Sequence, residues 1–378
     1  MSHINDLIII GVSHHNTLSM VRSVGREGIK PFVILYGHKE SYISKSKYVA
    51  KCKYVNTAED AVDAMASFCQ KSIIKPVVIS CADEVSMILD RRYEELSSLC
   101  HFFNAGKTGR ITHYMDKQVQ TLLAGECGFA APWSLECLPN EVPFDIIKYP
   151  CIIKPKESVH GGKKIFICDN VEELNCSLGE FDKNYAVLIQ QFLKGENEVV
   201  IIGLSVNGHS IIPGFVKKHR DYKGATTFST TYPASDLPDS VVASTERMIG
   251  EIGYEGLWGI ECIKMDNEYY FIELNLRNDA TTYSMAVAGV NLPFAYYNSF
   301  VDRGNHQQLS NKVEILNSMV EFDDFNFVLK RKVSLRQWRN ELKGCRCRYY
   351  YDNDDKAPYR AKRIEYVKFL FNRLFHRA

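Results

Sequence analysis

The chain has 378 residues, with 46 Lys plus Arg against 45 Asp plus Glu, 46% hydrophobic and 24% charged residues. This is a globular composition, long enough for about two or three domains with a sizeable core, and it excludes disordered and fibrous classes. A net charge of +1 gives no global attraction for nucleic acid, although residues 330–378 hold 15 Lys/Arg and 5 Asp/Glu, which leaves 31 against 40 in the first 329.

The amino-terminal MSHINDLIIIGVSHHN has no basic leader and does not read as a secretory signal. No stretch approaches the roughly eighteen apolar residues of a membrane span, and the twelve scattered cysteines read as reduced thiols, so a cytoplasmic protein is expected. Strand and helix signals then alternate, as in a parallel α/β unit. Strands are predicted over Leu7–Gly11, Pro31–Leu35 and Pro76–Ser80, and helices over Thr17–Glu27, Ala58–Gln70 and Asp83–Leu99, with Asp83 capping the last. The turn GVSHHN lacks G-x-G-x-x-G and there is no G-x-x-x-x-G-K-[ST], which disfavours both common phosphate loops.

After a predicted helix, Asp116–Cys127, the chain turns β-rich. Asn207-Gly208 between apolar runs marks a hairpin of Val199–Val206 with Ser210–Val216. A helix over Asp239–Ile252 precedes strands Leu257–Lys264 and Tyr269–Asn275, then helices Thr281–Ala288 and Leu292–Val301. The last fifty residues read as a basic, aromatic tail.

The chemistry concentrates in WGIECIKMDNEYYFIELNLRN, residues 258–278. Glu273, Asn275 and Arg277 alternate, so on a strand they share one face at about 7 Å spacing. A three-residue loop, Asp266 to Glu268, sets Met265 opposite Tyr269 and Glu261 opposite Glu273; a two-residue turn sets Glu261 opposite Ile272 and breaks the cluster. Two carboxylates about 4 Å apart repel by about 4 kcal/mol at an effective dielectric near 20, which a divalent ion relieves; hard oxygen donors favour Mg²⁺. The planar fork of Arg277 suits a phosphoryl group or acyl phosphate. The structural alternative is a salt-bridged sheet face.

Two looser features accompany it. In YPCIIKPKESVHGG, Lys154 ends an apolar strand before a polar loop with paired glycines, a phosphate cradle or a solvated lysine. In LIQQFLKGENE, a strand running into Gln-Gln-Phe-Leu suits an adenine edge and Glu198 a ribose diol, or the segment is a hairpin edge.

In this order the three features resemble the ATP-grasp superfamily over about Lys107 to Phe300. The resemblance implies α/β and α+β architecture: a Rossmann-like pre-ATP-grasp domain (1–106), an ATP-grasp domain (107–305, lid about 117–195) and a basic C-terminal extension (306–378). It implies ATP and Mg²⁺ as cofactors, with Lys117 and Lys154 on the phosphates, Gln190, Phe192 and Leu193 around adenine, Glu198 at the ribose and Glu261, Glu273 and Asn275 on the metal. Arg277 matches the arginine of E-x-N-x-R. Within the superfamily, GLWGIECIK, YYFIELNLRNDATTY and KKHRDYKGATT resemble the carboxylate-amine ligase branch that includes D-aspartate ligases and relatives encoded with surface-polysaccharide genes. There Lys218 and Arg220 hold a phosphate or substrate carboxylate. The usual adenine-hinge glutamate-lysine pair is Gln190-Gln191 here.

The implied activity is ATP-dependent joining of a small carboxylate and an amine through an acyl phosphate, in precursors of surface polysaccharide or peptidoglycan. Alternatives are a catalytically silent nucleotide sensor or scaffold, and a carboxylate kinase or carbamoyl-phosphate-synthase-like enzyme. Open α/β sheets bind ligands at the carboxyl ends of their strands. His14, Asn16, Asp83 and Glu84 are therefore substrate candidates, with Asp279 and Tyr283 beyond the metal strand. Asn16 and Asp83 have helix capping as their alternative role. In the tail, Ile364, Val367, Leu370, Phe371, Leu374 and Phe375 fall at helical spacing. This stripe packs on the chain itself or on a second subunit, as in a homodimer, or makes peripheral contact with anionic lipid.

Overall fold

The computed structural model describes residues 6–130, 132–156, 165–193, 198–222, 224–265, 268–301 and 312–375. The Gly161-Gly162 turn with His160, Gly195, and Asp266-Asn267 lie outside the described residues.

The first sheet is parallel, in the order β3-β2-β1-β4, from Leu7–Gly11 (β1), Phe32–Tyr36 (β2), Lys51–Val55 (β3) and Val77–Ser80 (β4). LIIIG and VVIS are buried along their whole length, as strands covered on both faces must be. Ile9, Leu35 and Ile79 enter the main core, while Ile8, Ile34 and Val78 pack with the Ala58–Cys69 and Asp83–Arg91 helices. β3, KCKYV, was not predicted: it is a half-exposed edge strand with lysines at alternate positions. The long helix expected over Asp83–Leu99 is instead two, Asp83–Arg91 and Tyr93–Leu96, and Asp83 makes no cap bond.

A small antiparallel sheet follows, ordered β5-β8-β6-β7, from Ser134–Cys137 (β5), Cys151–Pro155 (β6), Phe166–Cys168 (β7) and Val187–Gln191 (β8). Its own core is Ile147, Cys151, Ile153, Cys168, Leu174, Leu178, Val187 and Ile189.

The large sheet runs β13-β12-β9-β10-β11-β14-β15. It takes Glu198–Val206 (β9), His209–Tyr222 (β10), Ala225–Pro233 (β11), Gly256–Met265 (β12), Glu268–Asn275 (β13), Leu316–Met319 (β14) and Cys345–Arg348 (β15). The Asn207-Gly208 turn has both residues at positive φ, as a tight hairpin requires. Gly203 is needed where Trp258 crosses it, since a Cβ there would lie 2.0 Å from the indole.

The C-terminal segment is folded into the body. β14 and β15 complete the large sheet. Arg22, fully buried, donates to the Asp355 carboxylate (3.0 Å) and to the carbonyls of Tyr349 (2.9 Å), Tyr350 (3.0 Å) and Asp355 (2.9 Å). Asp355 also accepts from Ser46 Oγ (2.8 Å) and the Lys47 amide (3.0 Å), so this carboxylate ties the end of the chain to the first sheet's loops. The twelve cysteines are all free.

Candidate nucleotide and metal site

β12 and β13 pair with Met265 opposite Glu268 and Cys262 opposite Phe271; a one-residue bulge then sets Glu261 opposite Glu273 and Gly259 opposite Asn275. The expected opening pair, Met265 with Tyr269, is corrected. Two residues, not three, separate the paired ends, and Ile272 is the extra residue that restores the register a regular two-residue hairpin loses. The bulge also explains the burial pattern, in which Tyr269, Phe271 and Leu274 all face the core.

Lys218, from β10, lies between the carboxylates of neighbouring strands. Its Nζ is 2.6 Å from Glu261 Oε2 and 3.3 Å from Glu198 Oε2, and its side chain is only 8% exposed. Burial alone would lower the lysine pKa, but Glu261 and Glu198 hold it above the ordinary value. Burial raises the Glu261 pKa; Lys218 pulls it down, and Asp279 and Glu273 push it further up.

Arg277 follows β13 and is clamped at three points. Nε donates to Asp83 Oδ1 (2.6 Å), Nη2 to Asn275 Oδ1 (3.0 Å) and Nη1 to the Asn278 carbonyl (3.2 Å). Burial opposes its charge, yet Asp83 and Asp279 keep its pKa above the usual arginine value. Asp279 accepts from the Thr281 amide (2.8 Å) and hydroxyl (2.6 Å), and from Asn275 Nδ2 (3.4 Å). Gly259 permits this approach, because a Cβ there would meet Asp279 Cβ at 3.0 Å.

On the small sheet, Lys154 donates to Gln190 Oε1 (3.0 Å) across the β6–β8 pair. Burial and the nearby charge of Lys117 lower its pKa to about 8, against the pull of Glu273. Lys117 opens a helix, Lys117–Cys127, capped by Asp116. That helix is pinned to β13 by Gln120, which exchanges hydrogen bonds with the Leu274 carbonyl (2.9 Å) and amide (3.0 Å). Gln120 was missed from sequence: no spacing rule links it to a strand 154 residues away. Just past β8, the Phe192 amide bonds the Pro150 carbonyl (3.0 Å), Phe192 is half-buried and Leu193 buried.

His14 caps the His15–Gly25 helix through Nδ1, which accepts from the Asn16 amide (3.2 Å). Burial, then the charges of Arg277 and Lys362, push its pKa down to about 4, so it is neutral at pH 7. Glu261, Glu273, Asn275, Arg277, Lys117, Lys154, Lys218, Glu198, Asp83, Asp279 and His14 are thus linked by direct contact, strand register or mutual electrostatics.

Four further candidates are held by contacts of their own. Arg220 forks onto Asp324 (2.9 and 2.8 Å), bonds Glu341 (2.7 Å) and lies over Phe228, fixing β10 to the C-terminal helices. Tyr283 is buried with its hydroxyl 3.0 Å from Arg26 Nη2. Asn16 is a buried tie that donates to the Cys81 (3.4 Å) and Asn278 (3.1 Å) carbonyls and accepts from Asn278. Glu84 is exposed and faces Tyr36.

Among the described residues no three His, Cys, Asp or Glu side chains gather as a metal site. The candidate set is two carboxylates and the Asn275 amide oxygen, whose second lone pair is left by Arg277. These donors fit a hard divalent ion that takes one or two carboxylates and completes its shell with water and phosphate oxygens. The upward push on Glu261 from Glu273 and Asp279 is the repulsion such an ion relieves.

Residues 116–281 match the family described as ATP-grasp domain. Over 139 residues the chain is 33% identical to a D-alanine–D-alanine ligase of Pseudothermotoga lettingae, covering 34% of this chain and 46% of that protein. The corresponding enzyme of Thermotoga maritima is 27% identical over 138 residues, 34% of this chain and 45% of that one. The chain therefore matches a little under half the length of these relatives. Among solved structures, an ADP complex of an N5-carboxyaminoimidazole ribonucleotide synthetase superposes with a TM-score of 0.70 at 15% identity, over 97% of this chain and 98% of that one. An L-amino acid ligase from Bacillus licheniformis gives 0.64 at 14% identity, over 83% and 79%. At these identities the structural likeness concerns fold alone.

Proposed function

We propose that this chain, which carries an ATP-grasp domain over residues 116–281 in a mixed α/β and α+β fold, is an ADP-forming carboxylate-amine ligase. The observation that carries the reading is Glu261 opposite Glu273 beside Asn275, with Arg277 held on that amide by a 3.0 Å bond. A substrate carboxylate oxygen attacks the γ-phosphorus of ATP, the β–γ bond breaks, and ADP leaves. An amine then attacks the acyl carbon, phosphate departs, and an amide forms as the amine loses a proton.

Positioning and charge neutralisation supply most of such a rate. Lys117 and Lys154 hold the nucleotide phosphates. Arg277, aimed by Asp83 and Asn275, offsets charge on the transferred group, and its rigid clamp means little reorganisation is needed. Glu261, Glu273 and Asn275 would hold Mg²⁺, which neutralises charge on the phosphate oxygens. Lys218 contacts a phosphate or substrate carboxylate, and Glu198 the ribose. Gln190 is engaged with Lys154, so adenine recognition falls to the backbone after β8 and to Phe192 and Leu193. Neutral His14 and the carboxylate of Asp83, at the carboxyl ends of β1 and β4, and Asp279, just beyond β13, line the substrate side.

The amino-acid ligases among the relatives and fold neighbours support an amino acid as one substrate, and precursors of surface polysaccharide or peptidoglycan, made in the cytoplasm, as the setting. ADP release in a matrix of carboxylates and amines with Mg²⁺ tests the reading. Supporting results are ADP that depends on both partners and, without amine, a hydroxamate when hydroxylamine traps the acyl phosphate. Hydroxamate with amine-independent turnover would identify a carboxylate kinase instead; nucleotide binding with no turnover across the matrix would identify a silent binder.

A further inference from the structure

The last helix, Lys356–Phe375, presents two different faces. Tyr359 stacks on Phe322 (ring centroids 5.5 Å apart), Tyr366 meets the same ring (5.1 Å), and the Lys362 ammonium lies 4.9 Å over Tyr42. At about 100° per residue these positions form one side of the helix. On the other side Ile364 is 59% exposed, Val367 46% and Phe371 58%. Their spacing of three and four residues makes a single outward stripe. By the same geometry Arg360 continues the line of the stripe one turn before Ile364, Arg363 flanks it on one side and Lys368 on the other, and all three are exposed. The acid nearest the stripe, Glu365, takes a 3.3 Å hydrogen bond from Lys362.

We propose that this helix docks the protein on an anionic phospholipid surface, lying in the headgroup plane with Ile364, Val367 and Phe371 toward the acyl chains. Apolar side chains outward with long basic ones at their edges are the arrangement for this: the stripe buries while the basic stems reach up to the headgroups. From Lys356 to the end the sequence has seven Lys/Arg and one Glu, whereas the first 329 residues carry 31 basic and 40 acidic residues, so attraction to anionic lipid is confined to this end. Among the described residues no helix is long and apolar enough to cross a membrane, so the contact is with the surface. The same rim argues against a second copy as occupant, because two such stripes facing one another bring Arg360, Arg363 and Lys368 against like charges. The proposal does not depend on the reading of the nucleotide site.

The test is co-sedimentation of the full chain with vesicles of phosphatidylcholine alone or with about 30% phosphatidylserine, alongside its mass in solution. The expected result is at least tenfold more binding to the anionic vesicles, falling as salt rises from about 50 to 500 mM. Ile364→Ser with Val367→Ser, and separately Arg360→Glu with Arg363→Glu, each reduce that binding about tenfold while circular dichroism stays native. Three results overturn the proposal: equal binding to both vesicle types, undiminished binding of the serine pair, or a dimer that the serine pair converts to monomer.

Discussion

Arg277 Nε lies 2.6 Å from Asp83 Oδ1, a contact between residues 194 positions apart that joins the carboxyl end of β4 to the end of β13. From the sequence Asp83 reads as a helix cap; in the fold its carboxylate faces the guanidinium, and the helix begins without a side-chain cap. The guanidinium proposed to face the transferred phosphoryl group is thus held by two sheets together.

Asp83→Asn keeps the shape and removes the charge. It is expected to lower kcat/KM for ADP formation about tenfold, while Arg277→Ala costs more than a hundredfold. Because Asp83 acts through Arg277, the double variant should be little worse than Arg277→Ala alone, as kinetics of the three variants will show.

Glu273→Gln and Glu261→Gln should both abolish turnover but differ in stability. Glu261 is the closest partner of buried Lys218 at 2.6 Å. Its loss should cost about 2 kcal/mol in urea denaturation, below the 3–5 kcal/mol of a fully broken buried pair because Glu198 remains. Glu273 has no comparable ion pair among the described residues, and Glu273→Gln should stay within about 1 kcal/mol of the parent.

Lys154 gives the pH dependence. Its pKa is lowered by burial and Lys117 to about 8, and the phosphate-binding role proposed for it needs the charged form, which is lost as pH rises. The free enzyme's kcat/KM should therefore fall on the alkaline side with a midpoint near that value. In Lys117→Met the repulsive charge is gone, and the midpoint should move up.

Arg22 and Asp355 should matter for stability alone. Asp355→Ala removes the nearer carboxylate of a fully buried guanidinium and leaves Asp352 at 4.0 Å, so it is expected to cost about 2 kcal/mol in urea denaturation, below the 3–5 kcal/mol of a fully broken buried pair, with residual folded enzyme turning over normally.

Much of this fold follows from local pattern. Leu7–Gly11, Asp239–Ile252 and Leu292–Val301 occupy the predicted spans because apolar periodicity and punctuation agree there. What was illegible depends on distant partners. β3 is an edge strand whose lysines mask its pattern, and the basic last fifty residues become β15 and, among the described residues, two helices, held by Arg22, Glu321 and Arg220. At the site, the pairing of Glu261 with Glu273 was anticipated, yet it arises from a shorter turn plus a bulge at Ile272. Alternation alone cannot reveal such compensating shifts. The contacts of Arg220 were illegible for a similar reason: its partners Asp324 and Glu341 lie more than a hundred residues on.

The central claim is tested most directly by the Mg²⁺ dependence of ADP binding, measured calorimetrically for the parent chain and the Glu261→Gln, Glu273→Gln double variant. The account predicts that Mg²⁺ tightens binding at least tenfold in the parent and leaves the double variant unchanged. Equal tightening in both proteins would contradict it.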